Sequence, residues 1–220
     1  MPHLSILVDY APLFLTGLWH TVFICVAGIG IGLFWGLVLY LASTVRWSSI
    51  RWLVRAYVNI FRGTPLLIQL FLLFYGGPHF GLRFSAMTTG ILSLALYSAA
   101  YFTEIYRSGF QNIPIGQIEA CLDLGLTPLQ ALVHVKIPQM LALIIPSVIG
   151  QTISMVKESS LLSIITVPEL TAAAVKVSTL TFSIVEPYLL LALAYWLLIV
   201  GITKCGELWE RHQVRYLVLR

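Results

Sequence analysis

Charge is what this sequence has least of. Charged residues fill 10% of its 220 positions, against 59% for apolar ones. A soluble domain of this length needs more polar surface than that to stay dissolved. Mean hydropathy is +0.91, so lipid is the solvent for most of the chain. A GxxxxGK[ST] phosphate loop is absent, which excludes P-loop nucleotide binding by this chain. The three cysteines, Cys25, Cys121 and Cys205, have no CxxC or zinc-ligand spacing, so no metal site follows from them. His20 and His134 lack a ligand neighbour at helical spacing. No nucleophile–base pair, metal set or carboxylate dyad stands out, which argues against an enzyme. Met1 to Tyr10 holds no Lys or Arg, so no cleavable signal peptide is expected. The formal net charge of +4 is not gathered on a soluble module with interleaved aromatics, so a nucleic-acid partner is not expected.

What the chain does have is long, unbroken apolar runs. In lipid the backbone must satisfy its own hydrogen bonds, which leaves helix bundles and closed barrels. Runs without period-two alternation select helices. The reading is an all-α, polytopic membrane helix bundle, one domain over residues 1–220, with about five spans. The first runs from Leu13 to Leu41 and carries Gly28, Gly32 and Gly36 at every fourth position, a stripe for close helix packing. In the second, Leu66 to Gly76 rises only about 16 Å as a helix. That helix is therefore expected to extend back through Arg62-Gly63-Thr64-Pro65 towards Tyr57. Spans three, four and five are expected at Ala86–Tyr106, Pro138–Val156 and Pro187–Gly206. Trp47, Trp52 and Trp209 read as interface anchors.

Basic residues orient the bundle. Arg46, Arg51 and Arg55 follow span one, Arg107 and Lys136 flank the segment between spans three and four, and Lys204, Arg211, Arg215 and Arg220 follow span five. The other side has Arg83, Lys176 and Lys157. The positive-inside rule then puts the N-terminus outside and the C-terminus in the cytoplasm. Arg51, Arg55, Asn59 and Arg62 share one helical face, expected at headgroup level.

Residues 109–137 face the cytoplasm in this topology. The segment is too polar to span and too patterned for a floppy loop. Gln117 to Leu124 has helical spacing, Gly125 is a C-terminal stop, and Thr127-Pro128-Leu129-Gln130 is a capping box with Pro at the first helical position. The expected order is helix, glycine turn, helix: either two helices lying on lipid or a docking element for a cytoplasmic partner.

Here the residues carry a resemblance. Glu119-Ala120-Cys121, three residues, Gly125, nine residues, then Val135-Lys136-Ile137-Pro138 resembles the EAA loop of ABC importer permeases. Cys121 replaces the second Ala of that pattern, and Val135 and Ile137 replace Ile and Leu. Arg62-Gly63-Thr64-Pro65-Leu66 with Gln69, Glu104-Ile105-Tyr106-Arg107, Lys157-Glu158-Ser159-Ser160 and Val167-Pro168-Glu169-Leu170 resemble the permeases for polar amino acids. The likeness runs from about residue 14 to 210. It implies a type I ABC importer permease fold, without catalysis or a cofactor on this chain. ATP and Mg would sit on a separate ATP-binding cassette subunit. A second permease subunit, the same or related, and an extracytoplasmic amino-acid-binding protein would complete the system in a bacterial inner membrane.

Glu119, Ala120, Cys121, Gly125 and Pro138 are then the candidates for coupling to the ATPase, with Glu119 as the charge contact and Gly125 as the turn. Buried polar residues in the spans are candidates for the substrate path: Thr64, Gln69, Glu158, Ser159 and Ser160. A zwitterion needs a carboxylate and donors, which these types supply. Two readings stand for each. Glu158 lines the path, or it sits with Lys157 at the outer water boundary. Thr64 lines the path or satisfies backbone freed by Pro65. Glu104 and Arg107 are expected to pair at the inner boundary. The rival classes are an autonomous secondary carrier and a non-transporting scaffold. The first is disfavoured by the lack of an internal repeat, the second by the cytoplasmic helix–turn–helix spacing.

Overall fold

A computed structural model describes residues 9–214, and among them the regular structure is helical throughout. Arg215 and Arg220, counted above among the inner charges, lie outside the described residues. The first helix, α1, is Ala11–Thr44, 34 residues or about 51 Å, longer than the hydrocarbon core. Gly28, Gly32 and Gly36 face α4, Ala86–Gln111. A Cβ on Gly28 would stand 2.9 Å from Leu94 Cβ, and one on Gly36 would stand 2.8 Å from Phe102 Cβ; one on Gly32 would collide with Ser98. The close approach also lets Thr103 Oγ1 donate to Gly36 O at 3.2 Å and Tyr106 OH to Leu33 O at 3.3 Å.

The second span breaks at Gly63-Thr64-Pro65, where the helix was expected to extend back towards Tyr57. Helix α2, Ser48–Gly63, ends at Thr64, and α3, Leu66–Phe71, begins after Pro65. The two meet at 107°. Thr64 and Pro65 are both extended (ψ 145° and 140°), as a residue before proline prefers to be. Helix α3 continues through a π turn, Leu72–Gly76, and a 3-10 turn, Gly77–Phe80.

Helix α4 is long enough to span but is less apolar than a lipid-facing helix. Its buried face carries Thr89, Ser93, Ser98 and Thr103 beside Leu94, Ala99 and Phe102. Protein surrounds it, so it need not be greasy on every side. By length and composition, three stretches qualify as membrane spans: Ala11–Thr44, Pro128–Ile165 and Val185–Glu210. The bent pair α2 and α3 makes a fourth if it counts as one span.

Helix α5 is Ile115–Asp123. The second helix expected within residues 109–137 is not separate from the fourth span, as the sequence reading had it. Helix α6, Pro128–Ala131, runs through a π turn, Leu132–Lys136, into α7, Ile137–Glu158, and a 3-10 end, Ser159–Ile165. Pro138 breaks the ordinary i to i−4 ladder. The π turn just before it widens the ladder where the missing N–H would have bonded.

After Thr166, which is left-handed at φ 63°, the chain enters α8, Leu170–Thr181. Glu169 caps α8 from a site with 0% exposure. Its carboxylate accepts from Thr171 N at 2.7 Å, Ala172 N at 2.8 Å and Tyr195 OH at 3.1 Å. Sequence reasoning did not assign this role, because Glu is outside the preferred cap residues. Thr21 Oγ1 accepts from Leu170 N at 3.0 Å, tying the same corner to α1. The last helix, α9, is Val185–Val214. The main buried cluster joins Ile24, Leu66, Leu70, Leu94, Met155, Leu162 and Val167, so the ends of the broken helices share one core.

Candidate coupling surface and transport path

The segment with the EAA spacing is a sharp corner. Gly125 adopts φ +69°. Leu126 N donates to Cys121 O at 3.0 Å and Gly125 N to Leu122 O at 2.9 Å, the two bonds of a Schellman stop. The capping box is present: Gln130 N donates to Thr127 Oγ1 at 3.3 Å and Thr127 N to Gln130 Oε1 at 2.9 Å. The amides of Gln117 and Gln139 touch and tie α5 to α7.

Cys121 is 4% exposed and anchors α5 to the bundle. A thiol does that as a small hydrophobe, which accounts for Cys where Ala is the usual residue of the pattern. Glu119, Ala120, Gly125 and Pro138 are exposed. Glu119 has no side-chain partner among the described residues. Ile115 at 73% and Leu122 at 67% are exposed on the same helical face, and Leu124 at 78% and Leu129 at 69% are exposed further along the corner. Exposed apolar side chains beside a free carboxylate are the composition of a docking surface.

At the bend, Thr64 and Gln69 come together, although five residues of straight helix would have offset them. Thr64 Oγ1 donates to Ile60 O at 2.8 Å. Gln69 Nε2 lies 2.9 Å from Phe61 O, 3.1 Å from Thr64 O and 2.9 Å from Thr64 Oγ1. Both residues thus serve backbone freed by the break, and both line a cavity of about 340 Å³. Two buried polar atoms in that lining, Gln69 Oε1 and Ser93 Oγ, have no hydrogen-bond partner among the described residues.

Glu158 is half-buried, within electrostatic reach of Tyr97. Ser159 is 0% exposed and donates to Val156 O at 2.7 Å; Ser160 donates to Lys157 O at 2.7 Å. Ser160 and Lys157 border a cavity of about 450 Å³ with Thr171, Tyr188 and Tyr195. The remaining polar groups form a run down one face of α4. Tyr97 OH and Tyr101 OH are 3.0 Å apart. Arg62 lies over the Tyr101 ring at 5.2 Å and 3.7 Å from Glu104. Glu104 pairs with Arg107 at 2.5 Å, as the spacing predicts, and Arg107 Nη1 donates to Gln111 Oε1 at 2.8 Å. Tyr97, Tyr101 and Glu104 follow helical spacing, a signal in the sequence that the reading of Glu104 with Arg107 alone did not use. Arg62 joins them only through the bend. Of the stripe on α2, Arg51 bonds Val45 O and Arg46 O at 3.0 Å, capping the end of α1. His20 bonds Pro168 O and His134 bonds Gln130 O.

A bundle of apolar helices with broken spans, an exposed helix–turn–helix corner and a polar run at one end belongs to the class of membrane transport subunits. Residues 28–205 match the family described as binding-protein-dependent transport system inner membrane component. The chain belongs to that family. A probable amino-acid ABC transporter permease protein, YckA of Bacillus subtilis (strain 168), is 34% identical over 86% of this chain and 84% of its own. The arginine transport system permease protein ArtQ of the same organism is 31% identical over 94% of this chain and 95% of its own. A crystal structure of an amino acid ABC transporter with histidines superposes with a TM-score of 0.90 at 36% identity, covering 96% of this chain and 99% of that one. The inward-facing MetNI methionine ABC transporter shares the fold, with a TM-score of 0.75 at 22% identity over 91% of this chain and 96% of that one. The type I importer permease fold expected from the EAA resemblance is therefore present. The chain is a transporter permease subunit and not a catalytic one, and the carrier and scaffold readings give way.

Proposed function

We propose that this chain is the permease of an ABC importer for polar amino acids in a bacterial inner membrane. One observation carries the reading: the exposed corner of α5 and Gly125, with Glu119 unpaired among apolar side chains, in a chain of this family. The corner docks a separate ATP-binding cassette subunit, which binds ATP and Mg. Glu119 makes the charge contact. Ala120 and Pro138 border it, and Cys121 and Gly125 hold its shape.

The chain crosses about five times, with α4 as the span enclosed by protein, the N-terminus outside and the C-terminus inside. An extracytoplasmic binding protein delivers the amino acid. A second permease, a copy or a relative, completes the path. Thr64, Gln69, Glu158, Ser159 and Ser160 belong to that path, together with Ser93, Tyr97 and Tyr101. The unpartnered Gln69 Oε1 and Ser93 Oγ support a polar occupant in the cavity at the bend. Ser159, already bonded within its own helix, acts by holding that helix end and not by direct contact.

The test is to extract the tagged chain from native membranes in mild detergent and identify its companions by mass spectrometry. A P-loop ATPase, a second permease and a binding protein are the expected companions. Recovery of the chain alone, under conditions that keep known complexes intact, overturns the coupling reading.

A further inference from the structure

A third cavity lies at the other end of the polar run. Its volume is about 500 Å³, and it sits where the last turns of α1, the face of α2 and the end of α4 meet. Three guanidinium side chains line it, Arg55, Arg62 and Arg107, with one carboxylate, Glu104. Three cations against one anion leave two positive charges in excess. Glu104 is already engaged by Arg107 at 2.5 Å and by Arg62 at 3.7 Å. Arg55 and Asn59 line the cavity without a side-chain partner among the described residues.

The setting indicates what fills it. Helix α2 meets α3 at 107°; if α3 stands in the bilayer, α2 lies along its surface. Trp47 and Trp52 are 74% and 67% exposed at the same end, as headgroup-level anchors are. Basic pockets between helices at that depth hold anionic headgroups. Guanidinium groups bind phosphate through paired N–H donors.

We propose that this cavity binds an anionic phosphate group, supplied by the headgroup of an acidic lipid of the inner leaflet. "Inner" rests on the orientation proposed above; the cavity chemistry does not. A zwitterionic amino acid suits the cavity poorly. Its ammonium would face the excess positive charge, and Glu104 is taken.

The experiment uses the full chain with its co-purified subunits, reconstituted in nanodiscs of phosphatidylcholine with phosphatidylglycerol. Native mass spectrometry then reads the retained lipid. Wild type and Lys204→Gln, a charge control at the inner end of α9, should retain phosphatidylglycerol. Arg55→Gln should lower its occupancy about fivefold, the weight of one arginine near an acidic headgroup, and Arg55→Lys should keep most of it. If Arg55→Gln does not fold, Asn59→Leu carries the same expectation by filling the cavity without a change of charge. Equal retention by wild type and Arg55→Gln, or equal loss in Lys204→Gln, overturns the site. Displacement of the lipid by millimolar inorganic phosphate assigns the cavity to free phosphate and overturns the lipid source. Displacement by histidine, arginine, glutamine or glutamate makes it part of the permeation path and overturns the proposal. Loss of co-purified ATPase bears on the coupling reading and leaves this site unaffected.

Discussion

Glu169→Ala removes an acceptor from a site with no access to water. Glu169 is 0% exposed, and its two oxygens take three donors, Thr171 N, Ala172 N and Tyr195 OH. Loss of an N-cap costs about 1 kcal/mol. The amide donors left in the protein interior add about 1–3 kcal/mol. Tyr195 OH keeps a fallback, Thr171 Oγ1 at 3.3 Å, so its share is small. The expected sum is about 3 kcal/mol. For a chain of this size that lowers Tm by about 6–12 °C. Glu169→Gln keeps one acceptor oxygen but turns an amide NH2 towards a donor, and should fall between. Tyr195→Phe loses one hydrogen bond, about 1 kcal/mol. The assay is thermal unfolding of the purified full chain in one detergent, followed by intrinsic fluorescence at a fixed scan rate, because such unfolding is seldom reversible. A Tm for Glu169→Ala within about 2 °C of wild type, or a larger loss for Tyr195→Phe, would refute this account of the corner.

Glu119→Lys should leave the protein in the membrane but abolish uptake and uncouple ATP hydrolysis from transport; normal uptake in whole cells would sink the coupling role. Gly32→Leu should prevent α1 from approaching α4 and sharply lower yield from membranes, whereas Gly30→Leu, whose Cβ meets nothing within 4 Å, should be tolerated; equal yields would show that the helices do not pack as described. Glu158→Ala should change the KM or the amino-acid selectivity of uptake, and unchanged values for both would remove it from the path. Gly125→Ala places a Cβ in a left-handed residue at a cost of about 1–2 kcal/mol, which a lower Tm with intact membrane insertion would register.

Much of the coupling segment was readable residue by residue, because its geometry is local. Gly125 as the stop and Thr127 with Gln130 as the box are decided by a few neighbouring residues. The pairing of Glu104 with Arg107 is also local, one helical turn apart. The angle of the bend between α2 and α3 was not readable. Arg62-Gly63-Thr64-Pro65 showed that something breaks there, but an angle of 107° depends on what each half packs against. Pro138 raised the opposite difficulty. It suggested a helix start, and a π turn let the helix run through it.

The sequence by itself determined solvent, class and family: apolar runs that require lipid, backbone that must be helical there, and an EAA spacing that marks this family. Only the tertiary structure decided which distant groups meet. Arg62 reaches Glu104, Gln69 Oε1 and Ser93 Oγ line one cavity, and Glu169 lies under Tyr195. The physical reason is range. Caps, turns and hydrophobic periods are settled within a few residues of chain, whereas these contacts arise between helices whose crossings depend on glycine stripes, proline breaks and packing summed over the whole bundle.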